Sequence, residues 1–172
     1  MIDILALCAK HCAGTRIPDT LAFAMCKVES SLDEFAWNPE PPYKYLWDVK
    51  RKRPFRKLTP EERVSEIPPL DFPSGAGARD AEWWGQQASW GPIQIMGGTA
   101  REFGFTGHFP GLCSEKGIAY GVLYLRDLYR RFFTDFGMDG VIVAYNAGSP
   151  RLTASGDFEN QEYLVKVHEA LR

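Results

Sequence analysis

The chain has 172 residues, of which 45% are hydrophobic and 24% charged, a composition typical of one globular domain with a sizeable core. A net charge of -2 argues against a nucleic-acid-binding protein, because such domains are normally clearly basic. No run of about 18 apolar residues occurs, so the sequence predicts no membrane span. We expect a single domain over residues 1–172 and a monomer.

The first predicted helix lies close to the amino terminus and does not resemble a secretory signal. It lacks a basic n-region and carries Asp3, so we expect no N-terminal signal here. Any route to a substrate outside the cytoplasm would then have to be supplied by another component.

Four cysteines raise the question of a metal site or of disulfides. Cys8 and Cys12 stand four residues apart on the first helix, with His11 beside them. A tetrahedral site needs further ligands, and no CxxC pair occurs, so we expect no metal and interpret the cysteines as small buried thiols. Whether they form disulfides with Cys26 and Cys113 is left open by the sequence.

A second helix is predicted to begin near Pro18 and Asp19, residue types suited to a helix start. Apolar residues then recur at helical spacing: Leu21, Met25 and Val28. Glu29 falls near the end of this helix, where the carbonyl dipoles and apolar neighbours both raise the pKa of a carboxyl group. A glutamic acid kept protonated near neutral pH suits general-acid cleavage of a glycosidic bond, although most Glu side chains are simply solvated.

The character of the sequence changes between Trp37 and Ala88, a stretch that holds eight of the twelve prolines and four of the five tryptophans. Such proline density predicts a loop-rich insertion, at about residues 38–88. One short helix is expected inside it, because Thr59-Pro60-Glu61-Glu62 forms a capping box. The aromatic residues either pin the loop onto the core or offer apolar platforms for sugar rings.

A basic run, Lys50–Arg53, lies within the insertion. It allows three interpretations: a foothold on an anionic polymer, a nucleic-acid patch, or a solvated loop balanced by nearby Glu61 and Glu62. The third is favoured for an isolated charge run.

After the insertion, Pro92 is predicted to open a short helix that ends at Gly97-Gly98, and Thr99 is predicted to cap the next one. Gln94 lies between two aliphatic residues. Its amide either satisfies loop backbone or presents donor and acceptor groups to a polar ligand.

The carboxyl-terminal third is predicted to be helical. The longest pattern runs from Ser114 to Phe133 and ends by Gly137, and a short helix follows over Gly140–Ala147. Gly148 and Pro150 stop that helix, and a last amphipathic helix is expected around Asn160–Leu171.

Four blocks stand out in this sequence: Glu29-Ser30 with Trp37-Asn38-Pro39, then Gly91-Pro92-Ile93-Gln94, then Ala144-Tyr145-Asn146-Ala147-Gly148, and finally residues 159–167 around Tyr163. Taken together, they resemble the soluble-transglycosylase (SLT), lysozyme-like family of lytic transglycosylases, particularly its phage-type members. Each block alone is weak, but all four occur in the family's order. Pro92-Ile93 departs from the family's usual Leu-Met.

The resemblance implies a mainly α, lysozyme-like catalytic domain with a cleft for the glycan strands of peptidoglycan. Glu29 takes the place of the catalytic glutamate, which cleaves the bond between N-acetylmuramic acid and N-acetylglucosamine and leaves a 1,6-anhydro product. The implied substrate-binding residues are Ser30, Gln94, Tyr145, Asn146 and Tyr163. No cofactor or metal is implied, and the enzyme would reach the cell wall through a phage virion or a lysis pore.

Two alternatives stay open. A second catalytic carboxylate, from Asp33, Glu40 or Asp48, would make the enzyme a hydrolysing muramidase. A degenerate relative would instead be a non-catalytic wall-binding or virion module. Insertion residues are further expected to add sugar subsites: Glu40, Tyr43, Tyr45 and Trp47.

Overall fold

The computed structural model describes residues 2–41 and 43–172, and this part of the chain is mostly helical, at 51% helix. The α-helices are α1 (Ile4–Cys12), α2 (Asp19–Ser30), α3 (Pro60–Arg63), α4 (Arg79–Gln86), α5 (Gly97–Glu102), α6 (Glu115–Ala147) and α7 (Gln161–Ala170), with a 3-10 turn at Phe109–Leu112. The expected mainly helical class is confirmed at this level. None of the helices in the described residues is long and apolar enough to cross a membrane.

Two small antiparallel sheets accompany the helices. The strands are β1 (Trp37–Pro39), β2 (Trp47–Asp48), β3 (Arg53–Pro54), β4 (Ala88–Trp90) and β5 (Ile95–Met96). The first sheet has the order β1-β4-β5, and its register sets Asn38 opposite Ser89. The second sheet is the β2–β3 hairpin, whose turn carries the basic run Lys50–Arg53 on the surface.

The main core lies between α1, α2, α6 and α7. Leu21 and Met25 of α2 are buried in it, while Val28 packs against it and is partly buried. The cysteines are all free thiols, and Cys8, Cys12 and Cys26 are buried in this core, so the interpretation of small buried thiols is confirmed for these three. Cys113 is only partly buried.

Local signals set several helix boundaries. Asp3 caps α1 and Ser114 caps α6, each by accepting a hydrogen bond from a backbone N–H of the first turn. The capping box at Thr59 is present as predicted, although α3 is only four residues long. Gly148 ends α6 in the left-handed conformation, with φ of 78°.

Gly137 interrupts α6 as the sequence predicts. Its backbone has φ of 62° and ψ of -163°, a conformation that favours glycine, so the helix changes direction there. The segment before it forms the expected spine, and the segment after it delivers Tyr145 and Asn146.

The prediction for residues 92–99 is wrong. Pro92 does not open a helix; it lies in a tight turn that joins β4 to β5, because Gly91 and Gln94 adopt positive φ of 71° and 50°. Thr99 is not a cap but a buried residue within α5, which begins at Gly97.

The insertion has an apolar cluster of its own, which consists of Leu46, Phe72 and Trp83. The edge of Phe72 packs on Trp83, with ring centroids 5.1 Å apart. Trp83 therefore packs the insertion on itself, and the prediction that the aromatic residues pin the loop onto the main core stays a prediction. Helix α4, which carries Trp83, was not predicted.

A buried ion pair joins the insertion to α5. Arg101 donates from Nε and Nη2 to the two carboxylate oxygens of Glu82, at 2.7 and 2.8 Å, and both side chains are almost fully buried. Gln86 donates to the same carboxylate and also bonds the backbone of Trp47 on both sides. These contacts fix where the insertion sits against the helices.

Candidate active site

Glu29 is the penultimate residue of α2. Ser31 ends the helix in a left-handed conformation, with φ of 55°, and its N–H bonds the carbonyls of Cys26 and Lys27. The Glu29 side chain is partly buried, and its Oε1 accepts a hydrogen bond from the hydroxyl of Tyr163 at 2.5 Å. Helices α2 and α7 therefore bring together two predicted site residues that are 134 positions apart.

The environment of Glu29 favours its protonated form. Burial raises the pKa of the Glu29 carboxyl from 4.5 to about 7, and the nearby Glu40 carboxylate acts in the same direction. The Tyr163 hydrogen bond opposes this shift because it stabilises the carboxylate. Burial and the Glu29 charge raise the pKa of Tyr163 well above its usual range, so Tyr163 remains a donor. The site thus holds a carboxyl group able to give and take a proton near neutral pH.

Two further predicted residues hold the β4–β5 turn. The Ser30 hydroxyl lies 2.7 Å from the carbonyl oxygen of Pro92, and the Tyr145 hydroxyl donates to the carbonyl of Ile93 at 2.9 Å. Two successive carbonyls of the turn are therefore bonded to hydroxyls from α2 and α6. In this arrangement Ser30 and Tyr145 position the turn beside Glu29.

Gln94 is mainly engaged with its own turn. Its amide nitrogen donates to the carbonyls of Gly91 and Ala36, at 2.9 and 3.2 Å, and its oxygen accepts from the Ser89 hydroxyl at 2.7 Å. Of the two roles predicted for this amide, the satisfaction of loop backbone is observed. A ligand contact would use the remaining lone pair of the oxygen.

Asn146 lies exposed near the end of α6. Its Oδ1 accepts from the amide of Asn160 at 3.2 Å, and Asn160 also donates to the carbonyl of Val143. The amide nitrogen of Asn146 has no hydrogen-bond partner among the described residues, so it is available to a ligand.

A polar cleft of about 290 Å³ opens between the insertion and the helices. It is lined from the insertion, the β4–β5 hairpin, α5 and α6: Glu40, Tyr43, Tyr45, Gln94, Ile95, Met96, Thr99, Glu102, Phe103, Tyr124, Asp127, Arg131, Tyr145, Asn146, Ala147 and Gly148. Glu29, Ser30 and Tyr163 do not line the cleft. Two residues that do line it interact electrostatically with Glu29: Glu40, whose charge raises the pKa of Glu29, and Tyr145, whose pKa is raised by the charge of Glu29.

Three of the four insertion residues expected to add subsites lie in this cleft, namely Glu40, Tyr43 and Tyr45. Trp47 does not line it. The prediction missed several cleft residues, including the charged groups of Glu102, Asp127 and Arg131. Nothing in the local sequence distinguishes these charges from those of a solvated helix face.

The three candidates for a second carboxylate are in different positions. Asp48 is buried and accepts hydrogen bonds from the backbone of Lys50 and Arg51, so it stabilises the β2–β3 turn. Asp33 is exposed and caps the backbone of Phe35. Glu40 alone of the three lines the cleft.

A metal centre was not expected, and the described residues contain no group of three or more His, Cys, Asp and Glu side chains placed to hold an ion. No family model, no curated protein and no solved structure matches the chain. The residues and geometry of the site are therefore what indicate its function.

Removal of the Tyr163 hydroxyl should change the pH profile of the site. In its expected role as an acid Glu29 must be protonated, so the expected wall-digesting activity should fall as the pH rises through the pKa of about 7. In Tyr163→Phe the carboxylate loses a hydrogen bond worth roughly 1.5–3 kcal/mol, so this alkaline limb should move up by about one pH unit or more. The measurement is the pH dependence of wall digestion.

Tyr129→Phe is the matched control, because Tyr129 lies on α6 outside the cleft and stacks on Phe133. Its profile should coincide with that of the wild type. An unmoved alkaline limb in Tyr163→Phe would contradict the link between the hydroxyl and the pKa of Glu29.

Proposed function

We propose that this protein is a lytic transglycosylase of the lysozyme-like type, with residues 1–172 as one catalytic domain that degrades the glycan strands of peptidoglycan. The observation that carries the proposal is the Glu29 carboxyl, whose pKa is raised to about 7 beside a polar cleft. The substrate, peptidoglycan, is inferred from the four sequence blocks, which occur in the same order as in the family they resemble. Since no relative supports it, the proposal requires a direct chemical test.

Glu29 would perform both proton transfers. As an acid it protonates the oxygen between N-acetylmuramic acid and N-acetylglucosamine, and the C1–O bond breaks. As a carboxylate it then takes the proton of the muramic C6 hydroxyl, and O6 closes on C1. Glu29 ends protonated again and no water is consumed, so a second protein carboxylate is not required, in contrast to most glycosidases.

The surrounding side chains have distinct tasks in this scheme. The Tyr163 hydroxyl orients the carboxyl and stabilises its ionised form, which is needed in the second step. Ser30 and Tyr145 fix the turn that carries Gln94. Asn146 offers a free amide N–H to the sugar.

A hydrolysing muramidase is the second candidate, and one observation favours it. Glu40 lines the cleft and acts electrostatically on Glu29, so it is placed to activate a water molecule.

The products distinguish the candidates. Purified peptidoglycan is digested and the released muropeptides are analysed by mass spectrometry, with and without borohydride reduction. We expect fragments lighter by one water with no reducible muramic end. Reducible ends would show hydrolysis and direct attention to Glu40, while protein that binds walls and releases nothing would be the binding module.

A further inference from the structure

A second cavity lies outside the cleft, and five of its eleven lining residues are aromatic. This aromatic pocket has a volume of about 280 Å³ and contains three of the five tryptophans, Trp37, Trp84 and Trp90. Phe109 and His108 complete much of its wall. It shares no lining residue with the catalytic cleft.

The pocket is rigidly built. Trp90 stacks on Phe109, with ring centroids 5.9 Å apart, and its indole N–H donates to the carbonyl of Gly85 at 2.9 Å. A Cβ atom at Gly85 would lie 2.0 Å from the Phe109 ring, and one at Gly97 would lie 2.8 Å from it. The two glycines therefore allow Phe109 to pack where it does, and the aromatic walls are preformed.

Two of the tryptophans present their rings to solvent. Trp37 is 56% exposed and Trp84 is 39% exposed, so part of each ring faces solvent. Among the described residues, no hydrogen bond satisfies the indole N–H of either tryptophan or the ring nitrogens of His108. The pocket thus combines open aromatic faces with unused polar edges.

The charge of the wall selects the class of ligand. Arg101 already lies over the Phe109 ring, 4.2 Å from its centroid, so the pocket is not suited to a cationic ligand. Its charge is neutralised by both oxygens of Glu82, so it does not attract an anion either. A neutral, amphipathic ligand fits these walls, and a sugar ring has the required apolar faces and polar rim.

The position of the pocket relates it to the cleft. Strand β1 begins in the aromatic pocket, at Trp37, and Glu40, which directly follows its last residue, lines the cleft. Three residues of extended chain span roughly 10 Å. The two cavities are therefore neighbours in the fold.

We propose that the aromatic pocket is an accessory site that binds a neutral sugar ring of the glycan strand whose cleavage takes place in the cleft. This inference rests on the proposed function, since it takes the same polymer as ligand. The site would hold the polymer on the enzyme between cleavage events.

The test uses indole N–H signals in NMR spectra of the full chain. The Glu29→Gln background prevents turnover, and the probe is chitohexaose, a neutral β-1,4-linked N-acetylglucosamine oligomer. We expect the Trp37 and Trp84 signals to shift and those of Trp47 and Trp83, which lie outside the pocket, to stay. Trp37 and Trp84 signals that stay unchanged would overturn the proposal, as would signals that respond only to an apolar probe such as N-acetylphenylalaninamide.

A substitution at Trp84 tests how much this side chain contributes to the affinity for the oligosaccharide. Trp84→Ala should weaken chitohexaose binding roughly tenfold, equivalent to about 1.4 kcal/mol. Alanine favours helix, so α4 should persist. The matched control is Phe35→Ala, which removes an aromatic side chain that is 71% exposed and lines neither cavity. Equal affinities for the two variants would overturn the proposal.

The two proposals fail in different ways. Wall digestion by the wild type without indole shifts in the Glu29→Gln protein would refute the accessory site and leave the enzyme intact. Shifts at Trp37 and Trp84 in a protein whose wild type releases no muropeptides would support the pocket as a sugar site and refute the transglycosylase.

Discussion

Glu29→Gln is expected to fold normally and to lose the proposed wall-digesting activity by roughly 10³-fold or more, because in the proposed mechanism one carboxyl group supplies the proton in the first step and removes one in the second. The glutamine has the same shape, and its carbonyl oxygen can still accept the hydrogen bond from Tyr163. The measurement is the release of muropeptides from purified walls. Digestion at a rate near that of the wild type would contradict the assignment.

The stability of the same variant, relative to that of the wild type, should increase as the pH rises. The pKa of Glu29 is about 7 in the folded protein and 4.5 is its ordinary value, so the folded state binds more protons between these values. Wild-type stability therefore falls as the pH increases from about 4.5 to 7, whereas glutamine does not titrate. The difference in the free energy of unfolding should grow over this window and level off above it.

Glu169→Gln is a suitable control for both measurements, because this carboxylate is exposed on α7. It should leave activity unchanged and should show no such growth of stability with pH. If the control and Glu29→Gln had the same pH dependence of unfolding, the burial of the Glu29 carboxyl would not be the cause.

Arg101→Met is expected to lower the free energy of unfolding by about 3–5 kcal/mol, the largest stability effect we predict. The substitution leaves the Glu82 carboxylate buried without its cationic partner. It also removes the donor to the carbonyls of Phe105 and Gly107. Urea denaturation followed by circular dichroism measures the loss.

Arg56→Met provides the comparison on the surface. Arg56 pairs with both Glu62 and Asp71, but its side chain is 41% exposed, so the loss should be within about 1 kcal/mol. The double variant Glu82→Leu/Arg101→Met should recover much of the stability lost in Arg101→Met, because no unpaired charge remains. Equal losses for Arg56→Met and Arg101→Met would show that burial does not strengthen the inner pair.

Helices were predictable where local chemistry sets their ends. The caps at Thr59 and Ser114 and the glycines at 137 and 148 act within a few residues, so their pattern is readable. The sheet was not predictable in this way. Asn38 pairs with Ser89 across the whole insertion, and neither strand exceeds three residues. Pairing between short strands that are so far apart along the chain leaves no periodic pattern in the sequence.

The same contrast between local and long-range determinants applies to the candidate site. The position of Glu29 at the end of a helix followed from spacing, but its contact with Tyr163 depends on how α7 packs on α2. The partners of Ser30 and Tyr145 are backbone carbonyls, and sequence does not mark those. The resemblance selected these residues, whereas the geometry gives Ser30 and Tyr145 a positioning role.

The separate apolar cluster of the insertion, Leu46, Phe72 and Trp83, has an evolutionary consequence. The insertion contributes Tyr43 and Tyr45 to the cleft, while the packing of α2 and α7 that holds Glu29 belongs to the other cluster. Substitutions on the insertion side of the cleft wall therefore affect a different apolar cluster from the one that stabilises the helices holding Glu29. Under the proposed function, substrate preference can therefore diverge between descendants of this protein while the Glu29 centre stays unchanged.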